Sequence, residues 1–225
     1  MNVLVACEES QRVCTAFRER GHTAWSCDIQ QCSGGHPEWH ILGDCLPILN
    51  GNCEFTTEAG GRHLQNGRWD LIIAHPPCTY LSGVTTRHLS LRMNPPEKVI
   101  SRMWMLAEGA VFFTRLAEAP AERVCVENPQ GFMSRLYRKP DQVIEPYYFA
   151  ESEADEDNYE HKRTCLWLRG LPLLVRTTNL PSPPAKGFTK SGKAKHFEET
   201  ATGNRAKTRS KTFPGIARAM AEQWG

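Results

Sequence analysis

The 225-residue chain is expected to be an α/β protein, with a parallel sheet and helices packed on both of its faces. Three observations predict this class. Residues 1–28 read as strand, helix, strand, the opening of a β-α-β unit. Short unbroken apolar runs, "NVLVA", "LIIA" and "VCV", recur along the chain, as they do in strands covered on both faces. Three strands end on polar residues, at Asp28, at His75-Pro-Pro-Cys78 and at Glu127-Asn128.

The elements follow in order. Asn2 to Ala6 is a buried strand. Ser10 is the expected N-cap of a helix carrying Val13, Ala16 and Phe17 at helical spacing, and Gly21 stops it. Thr23 to Cys27 is the second strand. Residues 29–68 are rich in Gly, Pro, Asn and Cys and read mostly as loop. Trp69 to Ala74 is the next strand. Pro96 suits a helix N-terminus, and the helix runs to about Glu118 with Ile100, Met103, Trp104, Ala107, Val111 and Leu116 as candidate core positions. Val124 to Val126, Tyr147 to Phe149 and Cys165 to Leu168 are strand candidates. Residues 176–211 are basic and irregular, holding Arg176, Lys186, Lys190, Lys193, Lys195, Arg205, Lys207, Arg209 and Lys211 against Glu198 and Glu199. Phe213 to Trp224 returns to a helical pattern.

Composition narrows the function. Apolar residues are 40% and charged residues 23% of the chain, as in an ordinary globular protein. A formal net charge of +2 makes the whole molecule no polycation, so any nucleic-acid affinity must be local. No apolar run reaches the roughly 18 residues of a membrane span, and no secretion signal is evident. Nine cysteines, an odd number, then suggest reduced thiols in a cytoplasmic protein that avoids membranes.

In open α/β sheets, ligands bind beyond the carboxyl ends of the strands. Neighbouring strands would bring Asp28, Cys78 and Glu127 to one pocket. An acid after the second strand is where a nucleoside cofactor's ribose is held. A thiol near a carboxylate suits covalent catalysis with general-acid support. Cys78 follows two prolines, which fix φ and remove two donors, so its mount is rigid and the sheet stops there. Most other cysteines read as core filler. A competing cluster, Cys27, Cys32, His36, His40 and Cys45, is dense enough to suggest zinc but lacks a close Cys-x-x-Cys pair.

These residues resemble the cytosine-C5 DNA methyltransferases, in a compact phage or prophage form. "PPCTYLS" is similar to the family's Pro-Cys motif, "VENP" to its Glu-Asn-Val strand end, and "HKRTCLW", with His161, Arg163 and Cys165, to its Gln-x-Arg-x-Arg strand. The order is right, and together the motifs span about Met1 to Leu168. The resemblance implies a Rossmann-like class I methyltransferase sheet, S-adenosylmethionine as cofactor, DNA as partner and a flipped cytosine as substrate. It implies catalytic roles for Cys78, Glu127 and Arg163. It places the cofactor against Ala6, Glu8, Ser10, Asp28, Ile29, Asp44, Cys45 and Pro76. It assigns DNA contacts to Pro77, Thr79, Ser82 and Asn128. The first loop, "ACEESQRV", has no glycine where the family has Phe-x-Gly-x-Gly, so Glu8, Glu9 and Ser10 shape that part of the pocket. Thr79 stands for a glutamine, Pro129 for a valine and Cys165 for an arginine.

The target-recognition domain is reduced or absent. The division is a catalytic domain over 1–169, a basic segment over 170–211 and a C-terminal helix over 212–225 that packs back on the catalytic domain. Lys193, Lys195, Arg205 and Arg209 of the basic segment would bind phosphate. Two other functions stand beside this one: an amino-methyltransferase acting on adenine N6 or cytosine N4 through the "HPPC" loop, and a non-catalytic DNA-binding protein that keeps the fold. Monomer and homodimer are both open.

Overall fold

The first strand already dictates two covered faces. In the computed structural model, which describes residues 1–188, 192, 194–195 and 210–225, strand β1 is Asn2–Ala6. Val3 and Val5 point into one apolar layer and Leu4 and Ala6 into the other, all fully buried. Alternate side chains of a strand face opposite sides, so a strand this apolar needs packing on both.

The rest of the chain supplies it. Helix α1 is Arg12–Glu19 and β2 is Thr23–Asp28. Strand β3 is His40–Leu42, and β4 (Cys53–Thr56) and β5 (Arg62–Gln65) form an antiparallel hairpin. Strand β6 is Leu71–Ala74, α2 is Pro96–Ala117 and β7 is Arg123–Pro129. A short α3 (Met133–Leu136), β8 (Gln142–Ile144) and β9 (Thr164–Arg169) follow. Strands β10 (Gly187–Phe188) and β11 (Ala194–Lys195) pair with each other, and α4 (Pro214–Trp224) is the last helix.

The main sheet has the order β3-β2-β1-β6-β7-β9-β8, parallel from β3 to β7, with β9 reversed against both β7 and β8. This mostly parallel seven-stranded sheet is consistent with a Rossmann-like fold. The chain leaves β1 to one side for β2 and returns on the other side at β6. That reversal opens a crevice at the carboxyl ends of β1 and β6, where such sheets bind ligands. One face is covered by α1 and α4, through Val13, Phe17, Ile216, Met220 and Trp224. The other is covered by α2, through Phe113, Leu116 and Ala117, and by Phe55 and Trp69. Among the described residues no helix is long and apolar enough to cross a membrane.

Several sequence expectations need correction. Ser10 does not cap α1. The Glu8 carboxylate does, accepting the Val13 and Cys14 N–H groups at 2.7 and 3.1 Å, while Gln11 takes the left-handed conformation, φ 58°, that turns the chain into the helix. Residues 29–68 are mostly loop, as expected, but they also hold three-residue β3, which joins the main sheet, and the β4–β5 hairpin, whose Phe55 packs into the core. Strands this short show too little alternation to be read locally. Tyr147–Phe149 is a 3₁₀ turn, opened by Pro146, whose missing N–H cannot serve a sheet ladder; β8 lies just before it. In α2 the spacing identified a helix but the wrong face. Ile100, Met103, Trp104, Ala107 and Val111 are exposed, and Val99 and Phe113 are buried with Leu116 and Ala117. The helix has two apolar stripes, and only packing decides which one meets the sheet. Lys193, Arg205 and Arg209 lie outside the described residues.

Candidate active site

The sheet stops at His75. Its N–H donates to the Ala6 carbonyl at 2.9 Å, and the next two residues, Pro76 and Pro77, have no N–H to continue the ladder. The loop is then tied from two directions. Asn128, buried at the end of β7, donates its amide to the Pro76 carbonyl at 2.7 Å. The Cys78 carbonyl accepts from Leu81 and Ser82, at 3.1 and 2.9 Å, closing a turn. Arg102 of α2 donates to the Thr79 carbonyl at 3.0 Å and lies over the Tyr80 ring. Cys78 is exposed on this mount, as are Pro77 and Thr79 beside it.

A cavity of about 640 Å³ opens at the carboxyl ends of β1, β2, β6 and β7. Cys78, Pro77, Thr79 and Ser82 line it from the loop after β6, and Glu127 and Asn128 from the end of β7. Asp28 and Ile29 line it from the end of β2, and Asp44 and Cys45 from the loop after β3. Strands β2 and β6 flank β1, so their tips stand about 10 Å apart. Asp28 is partly buried and its oxygen accepts the Gln30 N–H at 2.9 Å; burial raises its carboxyl above the usual range. Ile29 is 79% exposed, a large apolar side chain standing open beside an acid.

A buried ion pair lies in the lining of the cavity. His75 Nδ1 lies 3.0 Å from Glu127 Oε2, and the two side chains are only 5% and 12% exposed. Burial pushes the Glu127 carboxyl up. The hydrogen bond and charge of His75, with the charge of Lys162, outweigh that and hold it below the usual range. Thr212 Oγ1 stands 3.5 Å from the same Nδ1. Three residues lining the cavity have buried polar atoms without a hydrogen-bond partner: His75 Nε2, both Glu9 oxygens and Asn128 Oδ1. Glu8 is fully occupied by α1; burial raises its carboxyl, opposed by His75 and by the two helix N–H groups. The Cys7 thiol is held protonated by its hydrogen bond with Cys45 and by burial, and the Cys27 thiol by burial.

The structure therefore brings most of the sequence-predicted residues to one place: Cys78, Glu127, Asp28, Ile29, Asp44, Cys45, Ser10 and Pro76 all line the cavity. It sets two apart. Ala6 is buried in the core beneath it, and Arg163 is exposed and outside the lining, while its neighbour Lys162 faces in. Side chains alternate along an extended chain, so a basic pair presents only one member to the cavity. His75 was missed as a functional group, though its place directly before Pro76 was visible. Phe112, Lys211 and Thr212 also line the cavity; Lys211 belongs to the basic segment, and no local signal pointed to Phe112 or Thr212. Among the described residues no group of three or more His, Cys, Asp or Glu could hold a metal ion, the Cys27, Cys32, His36, His40 and Cys45 cluster included. His40 is satisfied by Ser26 Oγ and the Gln30 carbonyl at 2.9 Å each, and His36 stacks on Trp39.

Searches of the chain against models of known protein families and against curated proteins find no match.

Proposed function

We propose that the chain is an S-adenosylmethionine-dependent methyltransferase acting on C5 of cytosine in DNA, through a covalent bond between Cys78 and C6 of the base. The observation that carries this reading is the convergence of Cys78 and Glu127 on one cavity with Asp28 and Ile29. A nucleophile beside a carboxylate suits an extruded pyrimidine. An acid beside an open apolar side chain suits a nucleoside, with ribose hydroxyls on the acid and a flat base on the aliphatic group.

The cofactor fits the residues present. Asp28, Ile29 and Asp44 would hold its nucleoside part. The Glu9 carboxylate, buried with no hydrogen-bond partner, matches a cationic group, because a buried charge needs an opposite one. Here a carboxylate does what a glycine-rich loop does in the family. When bound, the cofactor supplies an activated methyl group.

The chain's own residues do the rest. C5 of cytosine is a poor nucleophile. Attack of the Cys78 thiolate on C6 pushes electron density onto C5 and the ring nitrogen N3. Glu127 faces the ring, and its second role is set by His75 behind it. The pair can carry a proton between Nδ1 and Oε2 at 3.0 Å, so it supports N3–H as charge develops. After methylation a solvent base takes the C5 proton, the C–H electron pair forms the C5–C6 double bond, and the S–C6 bond breaks to return the thiolate. Asn128 keeps the Pro76-Pro77-Cys78 loop in place throughout. Lys162 and Lys211, both lining the cavity, would meet phosphate or the developing negative charge.

The test uses labelled S-adenosylmethionine and DNA carrying 5-fluorocytosine. A covalent adduct present in the wild type and absent in Cys78→Ser supports the reading. Methyl transfer that survives Cys78→Ser points instead to an amino-methyltransferase. Absence of cofactor binding by calorimetry leaves a non-catalytic DNA-binding protein.

A further inference from the structure

Helix α2 turns its more apolar stripe to solvent. Trp104 is 69% and Ile100 54% exposed. Met103, Ala107 and Val111 are exposed beside them. With 3.6 residues per turn, Ile100, Trp104, Ala107 and Val111 fall within an arc of about 60°. The opposite face, with Phe113 and Leu116, is in the core. Leu91 and Met93, in the segment leading to the helix, are also exposed and apolar. Contiguous apolar surface of this kind marks an interaction site on a soluble protein.

We infer that this face is a two-fold interface, in which α2 of one copy packs antiparallel on α2 of a second copy of the chain. The helix is complementary to its own reverse. In an antiparallel two-fold pair, positions equally distant from the centre oppose one another. A centre between Met105 and Leu106 sets Ile100 against the partner's Val111 and Trp104 against the partner's Ala107. Large then meets small, as interdigitating layers require. The same register sets Glu97 against the partner's Thr114, with the partner's Arg115 one residue further along the same edge, about 1.5 Å of axial rise away and within reach of an ion pair. Glu97 and Arg115 lie five helical turns apart on one edge of the stripe, both exposed. Among the described residues neither has an ion-pair partner. Two-fold symmetry makes the pair twice. A parallel pairing would instead put Glu97 against Glu97 and align the helix dipoles unfavourably. A non-specific apolar partner would have no use for this charge placement. The inference is independent of the methyltransferase reading. It does place the interface on the helix whose Arg102 holds the Cys78 loop.

Sedimentation equilibrium on the full chain, over a wide concentration range, tests it. The expected mass at high concentration is twice the 25.4 kDa of one chain. Trp104→Glu should sediment as a monomer with an unchanged circular dichroism spectrum, because the side chain is exposed and supports nothing within the chain. Glu97→Arg should weaken association about tenfold, and Glu97→Arg with Arg115→Glu should restore it. A 25.4 kDa mass at every concentration overturns the inference. So does an open series of larger species, since a two-fold contact closes. A dimer that survives Trp104→Glu, or a charge reversal not rescued by its partner, also overturns this face or this register.

Discussion

His75→Phe should destabilise the chain far more than its position in a loop suggests. The His75 and Glu127 side chains are 5% and 12% exposed, with Nδ1 to Oε2 at 3.0 Å. Phenylalanine fills the space of the imidazole and leaves the Glu127 carboxylate buried without its main partner. Breaking a buried pair by removing one member costs about 3–5 kcal/mol. Lys162 still acts on Glu127, which places the expected loss near the lower figure, roughly 3 kcal/mol. At about 2–4 °C per kcal/mol for a chain of this size, the melting temperature falls by roughly 6–12 °C. Urea unfolding of His75→Phe, Glu127→Leu and the double variant measures the coupling. The double variant leaves no uncompensated charge, so it should recover most of the loss, with a coupling of about 2–3 kcal/mol. A single-variant loss below about 0.5 kcal/mol, or strict additivity in the double variant, would refute a buried and mutually dependent pair.

Three further outcomes are expected. Glu8 and Glu127 should give opposite pH signatures against their glutamine variants. The folded Glu8 carboxyl is raised, so its contribution is present below the ordinary value of 4.5 and is lost as pH rises through the folded value. The folded Glu127 carboxyl is lowered, so its contribution is present above 4.5 and is lost as pH falls through the folded value; denaturant titrations in acid check both slopes. Gly215→Ala should cost about 1–3 kcal/mol in the same unfolding assay, because a Cβ there lies 2.5 Å from the Phe149 carbonyl oxygen and 2.9 Å from Asn158 Oδ1. Gly43→Ala, with nothing within 4 Å, should change stability by less than about 1 kcal/mol. Ile29→Ala should leave the melting temperature in place, since the side chain is already exposed, yet weaken S-adenosylmethionine binding by calorimetry by about tenfold; unchanged affinity would remove Ile29 from the cofactor site.

Much of the layout was legible because it rests on short-range rules. The apolar runs at Asn2–Ala6 and Leu71–Ala74 could only be strands covered on both faces. The β-α-β opening fixed a parallel start, and the polar residues after those strands marked the ligand end of the sheet. Cys78 stood out because two prolines forbid the ladder to continue. The parts that failed depend on partners distant in the chain. Glu8 lines the cavity as expected, but nothing local showed that its carboxylate is also taken up by the first N–H groups of α1. The two apolar stripes of α2 are equivalent to a periodicity, and only the sheet's position buries one of them. Arg163 and Lys162 are neighbours in sequence with opposite directions in space.

Sequence alone determined which polar and thiol-bearing residues follow the strands and in what order they reach the strand ends, since local sterics and hydrophobic period act within a few residues. Tertiary structure alone decided which of them share a cavity and with what charge. Fifty-two positions separate His75 from Glu127, and one hundred and thirty-seven separate His75 from Thr212. No pattern in the chain couples such pairs. Parallel strand order joins His75 to Glu127, α4 returns the chain near Thr212 to β1's side of the sheet, and burial then makes the resulting contacts matter.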